Sequence, residues 1–155
     1  MCLATIHLVL ALAATEDLHL RSVDISHAFI NSDIDTEIYM TQPEGFRQGG
    51  QEIVCRVNKS LYGLKQAGHL WSKQLQDALE KMGFRRIHSD PSVYIYDQDG
   101  IKVIVPIFVD DITFAGASEK DLDDFVAKLA THFKLRDLKP TSFLLGIEIT
   151  RNRKR

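Results

Sequence analysis

Apolar residues recur along this chain with two different periods, and the switches between them divide it into elements. Residues 3–14, LATIHLVLALAA, are almost continuously apolar and predict a buried amphipathic helix. HLRSVDI (19–25) reads as a short strand ending at Asp24, and EIYM (37–40) as a second that runs into a Pro43/Gly45 turn. EIVCRV (52–57) alternates as a half-buried strand does, after the flexible Gly49-Gly50 pair. From Gln66 to Met82 the period becomes helical, with Leu70, Trp71, Gln74, Leu75, Ala78, Leu79 and Met82 recurring at three- and four-residue steps, Trp71 and Leu75 read as core, and Gly83 placed to end the helix. Strands follow at 93–96 and 101–109, joined by the hairpin signal DQDG, with Pro106 predicting a bulge or an edge position. A return strand covers 112–115. Ser118, with Asp121 three residues on, starts a helix whose apolar stripe runs from Leu122 to Phe133. FLLGIEI (143–149) closes the chain as a short strand interrupted by Gly146. Antiparallel pairs with helices between them predict an α+β fold, an antiparallel sheet with helices packed on one face.

Composition changes this picture little. The 155 residues suit one domain, read as residues 1–150 followed by the basic tail RNRKR at 151–155, which reads as a solvated terminus. A net charge of −2 supplies no global field for a polyanion, so any contact with nucleic acid rests on a local patch, on bridging metal ions or on further segments. Cys2 and Cys55 form no metal-binding spacing. The first apolar run is shorter than the ~20 residues of a membrane span. A secretory signal is the lesser reading, because no Lys or Arg precedes the run and His7 interrupts it. The chain is therefore expected to be intracellular, without membrane attachment.

Chemistry enters with IVPIFVDDITFAGAS (104–118), where Asp110 and Asp111 stand between two apolar runs. Adjacent aspartates are commonly turn residues that cap local backbone groups. Here they are flanked by Phe-Val and Ile-Thr-Phe, where solvated turn chemistry is least expected. Asp24 occupies a comparable strand end, and if the two strands are neighbours it faces Asp110 across the sheet edge. Carboxylates so crowded repel unless cations lie between them, and magnesium suits hard oxygen ligands.

Four ordered blocks then carry a resemblance. VDISHAFINSDIDTEIYMTQPEGF, KSLYGLKQAGHLW, FVDDI and FLLGIEI, spanning Val23 to Ile149, resemble the reverse transcriptase domain of copia-type (Pseudoviridae-like) LTR retrotransposons. The resemblance implies a polymerase palm with a ferredoxin-like core. It implies two Mg²⁺ (or Mn²⁺) ions on Asp24 and Asp110, with Asp111 completing an acidic triad. Phe29 matches the position of a ring that excludes a ribose 2′-OH. Tyr62, Gly63 and Gln66 fall in the block that packs against incoming nucleotide and template, and Leu145 and Gly146 where a turn supports the primer terminus. Departures are Gly68-His69 in place of the family's Pro-Arg, which removes a positive charge, and Asn31-Ser32 in place of Asn-Gly.

The implied partners are an RNA or DNA template–primer, a dNTP and the remaining polyprotein domains, integrase and RNase H. The segment is expected to be essentially a palm, with most of the fingers, the thumb and RNase H outside it. A palm fragment of an RNA-directed DNA polymerase is the leading reading. The alternatives are a catalytically inactive remnant or domesticated nucleic-acid-binding module and, less favoured, an unrelated ferredoxin-like regulatory domain.

Overall fold

The computed structural model describes residues 3–50 and 52–152. The chain forms two compact units, Met1–Ser26 with Gln76–Arg155, and His27–Leu75. Cys2 and the last three residues of the basic tail lie outside the described residues.

The larger unit is built on six antiparallel strands. In chain order its elements begin with α1 (Leu3–Thr15) and β1 (His19–Ile25). In the smaller unit lie β2 (Asp33–Thr41), β3 (Val54–Lys59) and the first half of α2 (Ala67–Lys81). The chain then returns to the larger unit with β4 (Arg85–Arg86), β5 (Val93–Gln98), β6 (Ile101–Phe108) and β7 (Asp111–Gly116). It ends with α3 (Glu119–Ala130), β8 (Leu135–Pro140), β9 (Phe143–Leu144) and β10 (Ile147–Glu148). The strand order is β4-β5-β6-β7-β1-β8, and β9-β10 forms a separate hairpin. The expected α+β class and antiparallel sheet are what the chain adopts.

Alternation along β7 divides two apolar layers. Phe114 and Gly116 point to the α3 side. There Phe84, Tyr96 and Phe125 pack with ring centroids 4.8–5.5 Å apart, and Phe84 meets Phe114 at 6.4 Å. A Cβ at Gly116 would lie 3.0 Å from Leu122 and 3.2 Å from Val103, so glycine is what lets α3 settle so close. Ala115 points the other way, into a cluster with Val9, Ala13, Leu18, Val93 and Ile104. Helices therefore cover both faces, where the sequence predicts one. α1 contains no Asp, Glu, Lys or Arg and buries Ile6, Val9 and Ala13 against the second face. No helix among the described residues is long and apolar enough to cross a membrane.

Local signals end the helices as read. Phe84 N–H donates to the Leu79 carbonyl at 3.0 Å and Gly83 N–H to that of Glu80 at 2.9 Å, the paired bonds of a Schellman stop on α2. Ser118 Oγ accepts from the Asp121 N–H at 3.3 Å, capping α3. Pro106 departs from expectation. It lies in an interior strand with no bulge, since Ile104↔Ala115 and Ile107↔Ile112 keep one register on either side of it. Its ring is buried, and the ladder gives up only what one missing N–H removes. The closing strand is instead the β9–β10 hairpin, with Leu145-Gly146 as its turn. Arg151, read as part of a solvated tail, bonds Asp17 and the carbonyl of Leu18.

In the smaller unit β2 pairs with β3; β2 extends past the expected 37–40 at both ends, and β3 starts and ends two residues later than the expected 52–57. Gln42 staples the connecting loop: its side chain donates to the carbonyls of Gln48 and Ile53 at 3.0 Å and accepts from the Gln48 N–H at 2.7 Å. Trp71 and Leu75 are buried, as predicted.

β8 escapes the sequence pattern, and one side chain secures it. Arg21 on β1 grips Asp137 on β8 with two bonds, Nε to Oδ1 at 2.8 Å and Nη2 to Oδ2 at 2.6 Å, and reaches Asp123 on α3 at 2.6 Å. Burial alone would raise the Asp137 carboxyl. The Arg21 fork and the backbone and side chain of Lys139 outweigh it and bring it from 3.8 down to about 2. A depressed carboxylate stabilises the fold above its unfolded value and loses that contribution as pH falls through the folded one. Asp137→Asn is therefore expected to remove about 1–2 kcal/mol at pH 7. In urea unfolding across pH, the gap to wild type should close between about pH 4 and pH 2.

Candidate active site

Asp24, Asp110 and Asp111 meet because β1 and β7 are neighbours. Val23 opposes Ile112, both essentially buried, and this apolar rung fixes the next one, Asp24 opposite Asp111. Register thus pairs Asp24 with Asp111, where the sequence suggested Asp110. Asp110 is held by its backbone, its carbonyl accepting from the Ile25 N–H at 3.0 Å. The two-residue loop between Phe108 and Asp111 puts Val109 at φ +57°. A β-branched residue is strained there, and such strain concentrates where a turn must aim a neighbouring side chain.

The electrostatics follow from the crowding. The Asp111 side chain reaches solvent, yet surrounding protein desolvates it enough to raise its carboxyl above the ordinary range. The negative charges of Asp110 and Asp24 push in the same direction. On the other side of Asp24 stands Arg136, its register partner on β8, with Nε 3.8 Å from Asp24 Oδ2. Arg136 was invisible to sequence reading because β8 was. The donor set, three carboxylates at one sheet end repelling one another, fits a hard divalent cation in its chemistry. The carboxyl groups are not drawn round a common point. Among the described residues, no group of three or more His, Cys, Asp or Glu is arranged to hold a metal ion.

The remaining predicted residues form two further groups. In the smaller unit the Phe29 and Tyr62 rings stack at 4.4 Å with a 53° tilt, and Tyr62 is exposed. Gly63 beside it has φ +95°, and Gln66 begins the approach to α2, its carbonyl accepting from the Leu70 N–H at 2.9 Å. In the larger unit Leu145 and Gly146, at φ +47° and +82°, make the β9–β10 turn. Both positive values suit a two-residue hairpin loop, which costs nothing at glycine and strains leucine. Leu145 shares a small cavity of about 50 Å³ with Asp111. The structure therefore brings the hairpin to the carboxylates.

Comparison with known proteins gives the family. Residues 1–154 match the family described as reverse transcriptase (RNA-dependent DNA polymerase). The chain belongs to that family. Among similar proteins of this kind is the retrovirus-related Pol polyprotein from transposon TNT 1-94 of Nicotiana tabacum, 35% identical over 97% of the chain. Another is that from transposon RE1 of Arabidopsis thaliana, 32% identical over 95%. A transposon Ty5-1 protein of Saccharomyces cerevisiae is 31% identical over 82% of this chain and 42% of its own length. The chain spans 12% and 10% of the tobacco and Arabidopsis polyproteins. This reverse transcriptase domain is thus of the copia type. Reverse transcriptases generally use divalent metals.

Repulsion within the carboxylate group has a measurable consequence. A carboxyl raised on folding stabilises the protein only while protonated, and that contribution is lost as pH rises through its folded value. Asp111→Asn is therefore expected to be at least as stable as wild type at pH 7 in metal-free buffer. The difference should shrink as acid protonates Asp111 in the wild type, in parallel thermal melts.

Proposed function

We propose that this domain is the palm of an RNA-directed DNA polymerase, carried by residues 1–150, which extends a primer on an RNA or DNA template. The observation that carries the reading is the Asp24–Asp111 rung beside the Asp110 turn, three carboxylates set by register at one sheet end. In the reaction the primer 3′-oxygen bonds to the α-phosphorus of a dNTP, the bond to the β-phosphate bridge breaks, and pyrophosphate leaves. Asp24 and Asp110 would hold two Mg²⁺ (or Mn²⁺) ions, with Asp111 alongside. Bound there, the metal supplies charge neutralisation at the attacking and leaving oxygens.

The chain's own residues do the rest. Leu145 and Gly146 support the primer end. Tyr62, Gly63 and Gln66 pack against the nucleotide and its template base. Phe29, braced by Tyr62, fills the space a ribose 2′-OH would need. In the parent element, integrase and RNase H domains of the same polyprotein are the expected partners.

A second reading, a nucleic-acid-binding module without catalysis, is favoured by the unconverged carboxylates and by Arg136 beside Asp24. One assay separates them: dNTP incorporation on poly(rA)/oligo(dT) with Mg²⁺, comparing wild type with Asp110→Ala. Incorporation by the wild type with loss of at least about a hundredfold in the variant supports polymerase chemistry. Equal, background-level signals overturn it in favour of the binding module. In the same assay, Phe29→Val is expected to raise ribonucleotide incorporation relative to deoxyribonucleotide by about tenfold or more.

A further inference from the structure

The sheet face that carries Asp24 and Asp111 continues inward as a ladder, since every second residue of a strand shares a face. One rung in, Ser22 opposes Thr113, and at the next Leu20 opposes Ala115. The Leu20–Ala115 rung lies in the apolar cluster under α1. The hydroxyl rung has a different cover, Thr141, in the link between β8 and β9.

Ser22 Oγ stands 3.1 Å from Thr113 Oγ1 and 2.7 Å from Thr141 Oγ1, with all three residues buried. Thr141 also donates its N–H to the Leu20 carbonyl at 3.0 Å, so it is tied to β1 twice. Two residues later the β9–β10 hairpin begins, closed at its base by the Ile149 N–H donating to the Ser142 carbonyl at 2.8 Å. Between hairpin and carboxylate strands lies the cavity lined by Asp111, Thr113, Leu138, Phe143 and Leu145. Close packing alone therefore does not set the hairpin's height above the strands. Buried hydroxyls cost stability unless bonded, and apolar residues of the same size would fill the space. What hydroxyls add is direction and a fixed separation.

We propose that Ser22, Thr113 and Thr141 are positioning residues, a buried hydroxyl link that holds the 143–148 hairpin at a set distance from Asp24 and Asp111. A primer end resting on Leu145–Gly146 is thereby aligned with the reacting phosphate. This rests on the polymerase reading for its consequence, though the link itself does not. The link reaches each carboxylate strand two residues from its aspartate, so a shift of Thr141 moves the hairpin against the site without unfolding either strand.

The test uses the full 155-residue chain with Thr141→Val, Thr113→Val and the conservative Thr141→Ser. Hydrogen exchange reads the link directly. The valine variants should exchange the amides of residues 143–149 at least about tenfold faster, while β5–β7 amides keep their protection and Thr141→Ser restores slow exchange. Primer extension reads the consequence: kcat should fall about tenfold with the KM for dNTP little changed, as misalignment of reacting groups requires. Unchanged exchange overturns the link. Faster exchange with unchanged kcat overturns the positioning role. Faster exchange in a chain whose wild type extends no primer upholds the link and overturns the polymerase reading instead.

Discussion

The site depends on one constraint, the pairing of β1 with β7. Val23 and Ile25 on one strand and Ile112 and Phe114 on the other are at most 1% exposed. Each such burial is worth roughly 1.5–3 kcal/mol. A slip of one residue would turn all four to the opposite face, so the register is held by far more free energy than three carboxylates can oppose. Asp24 and Asp111 stand opposite each other because the rung beneath them leaves no alternative. Arrangement is thus paid for in the core, and the carboxylates inherit it.

The same logic explains the strain at the hairpin tips. Val109 and Leu145 both adopt φ values that glycine would take more readily. Each sits in a two-residue loop whose flanking strands dictate the turn, at Phe108↔Asp111 and Leu144↔Ile147. The cost of a few such residues is tolerable where six strands and two apolar layers supply the surplus. Both strained tips thus adjoin the carboxylates or their neighbouring cavity, at one end of the sheet.

Legibility in the sequence followed the strength of the local signal. Helices α2 and α3 and strands β5 to β7 were readable because their apolar periods are long and their caps conventional, as Ser118 and Gly83 show. Asp110 and Asp111 stood out because acidic residues between apolar runs have no packing rationale, and Asp24 because it ends a strand in a comparable place. β8 was hidden: LRDLKP has no alternation, and its place in the sheet comes from Arg21 gripping Asp137, a contact 116 residues apart in sequence. Arg136 was hidden with it. The pairing of Asp24 with Asp111 rather than Asp110 could not be read either, since it turns on a register that only the buried rung decides. The second helical face was missed because α1 is apolar nearly all round, which leaves periodicity unable to say what it packs against.

Along the face that α1 covers, the paired rungs change character in order, from Leu20–Ala115 through Ser22–Thr113 to Asp24–Asp111. Such a gradient is what a group of carboxylates at the end of a core requires. Full carboxylates directly against the apolar cluster would be desolvated and pushed toward their neutral form, unable to bind a cation. A hydroxyl rung between them is polar enough to sit next to charge and, being fully bonded, stable enough to sit next to hydrocarbon. Arg136 adds a positive charge from the β8 side, its Nε 3.8 Å from Asp24 Oδ2. Asp111, partly desolvated and facing the charges of Asp110 and Asp24, is raised above the ordinary carboxylate range, as crowding of like charges at the end of a core requires.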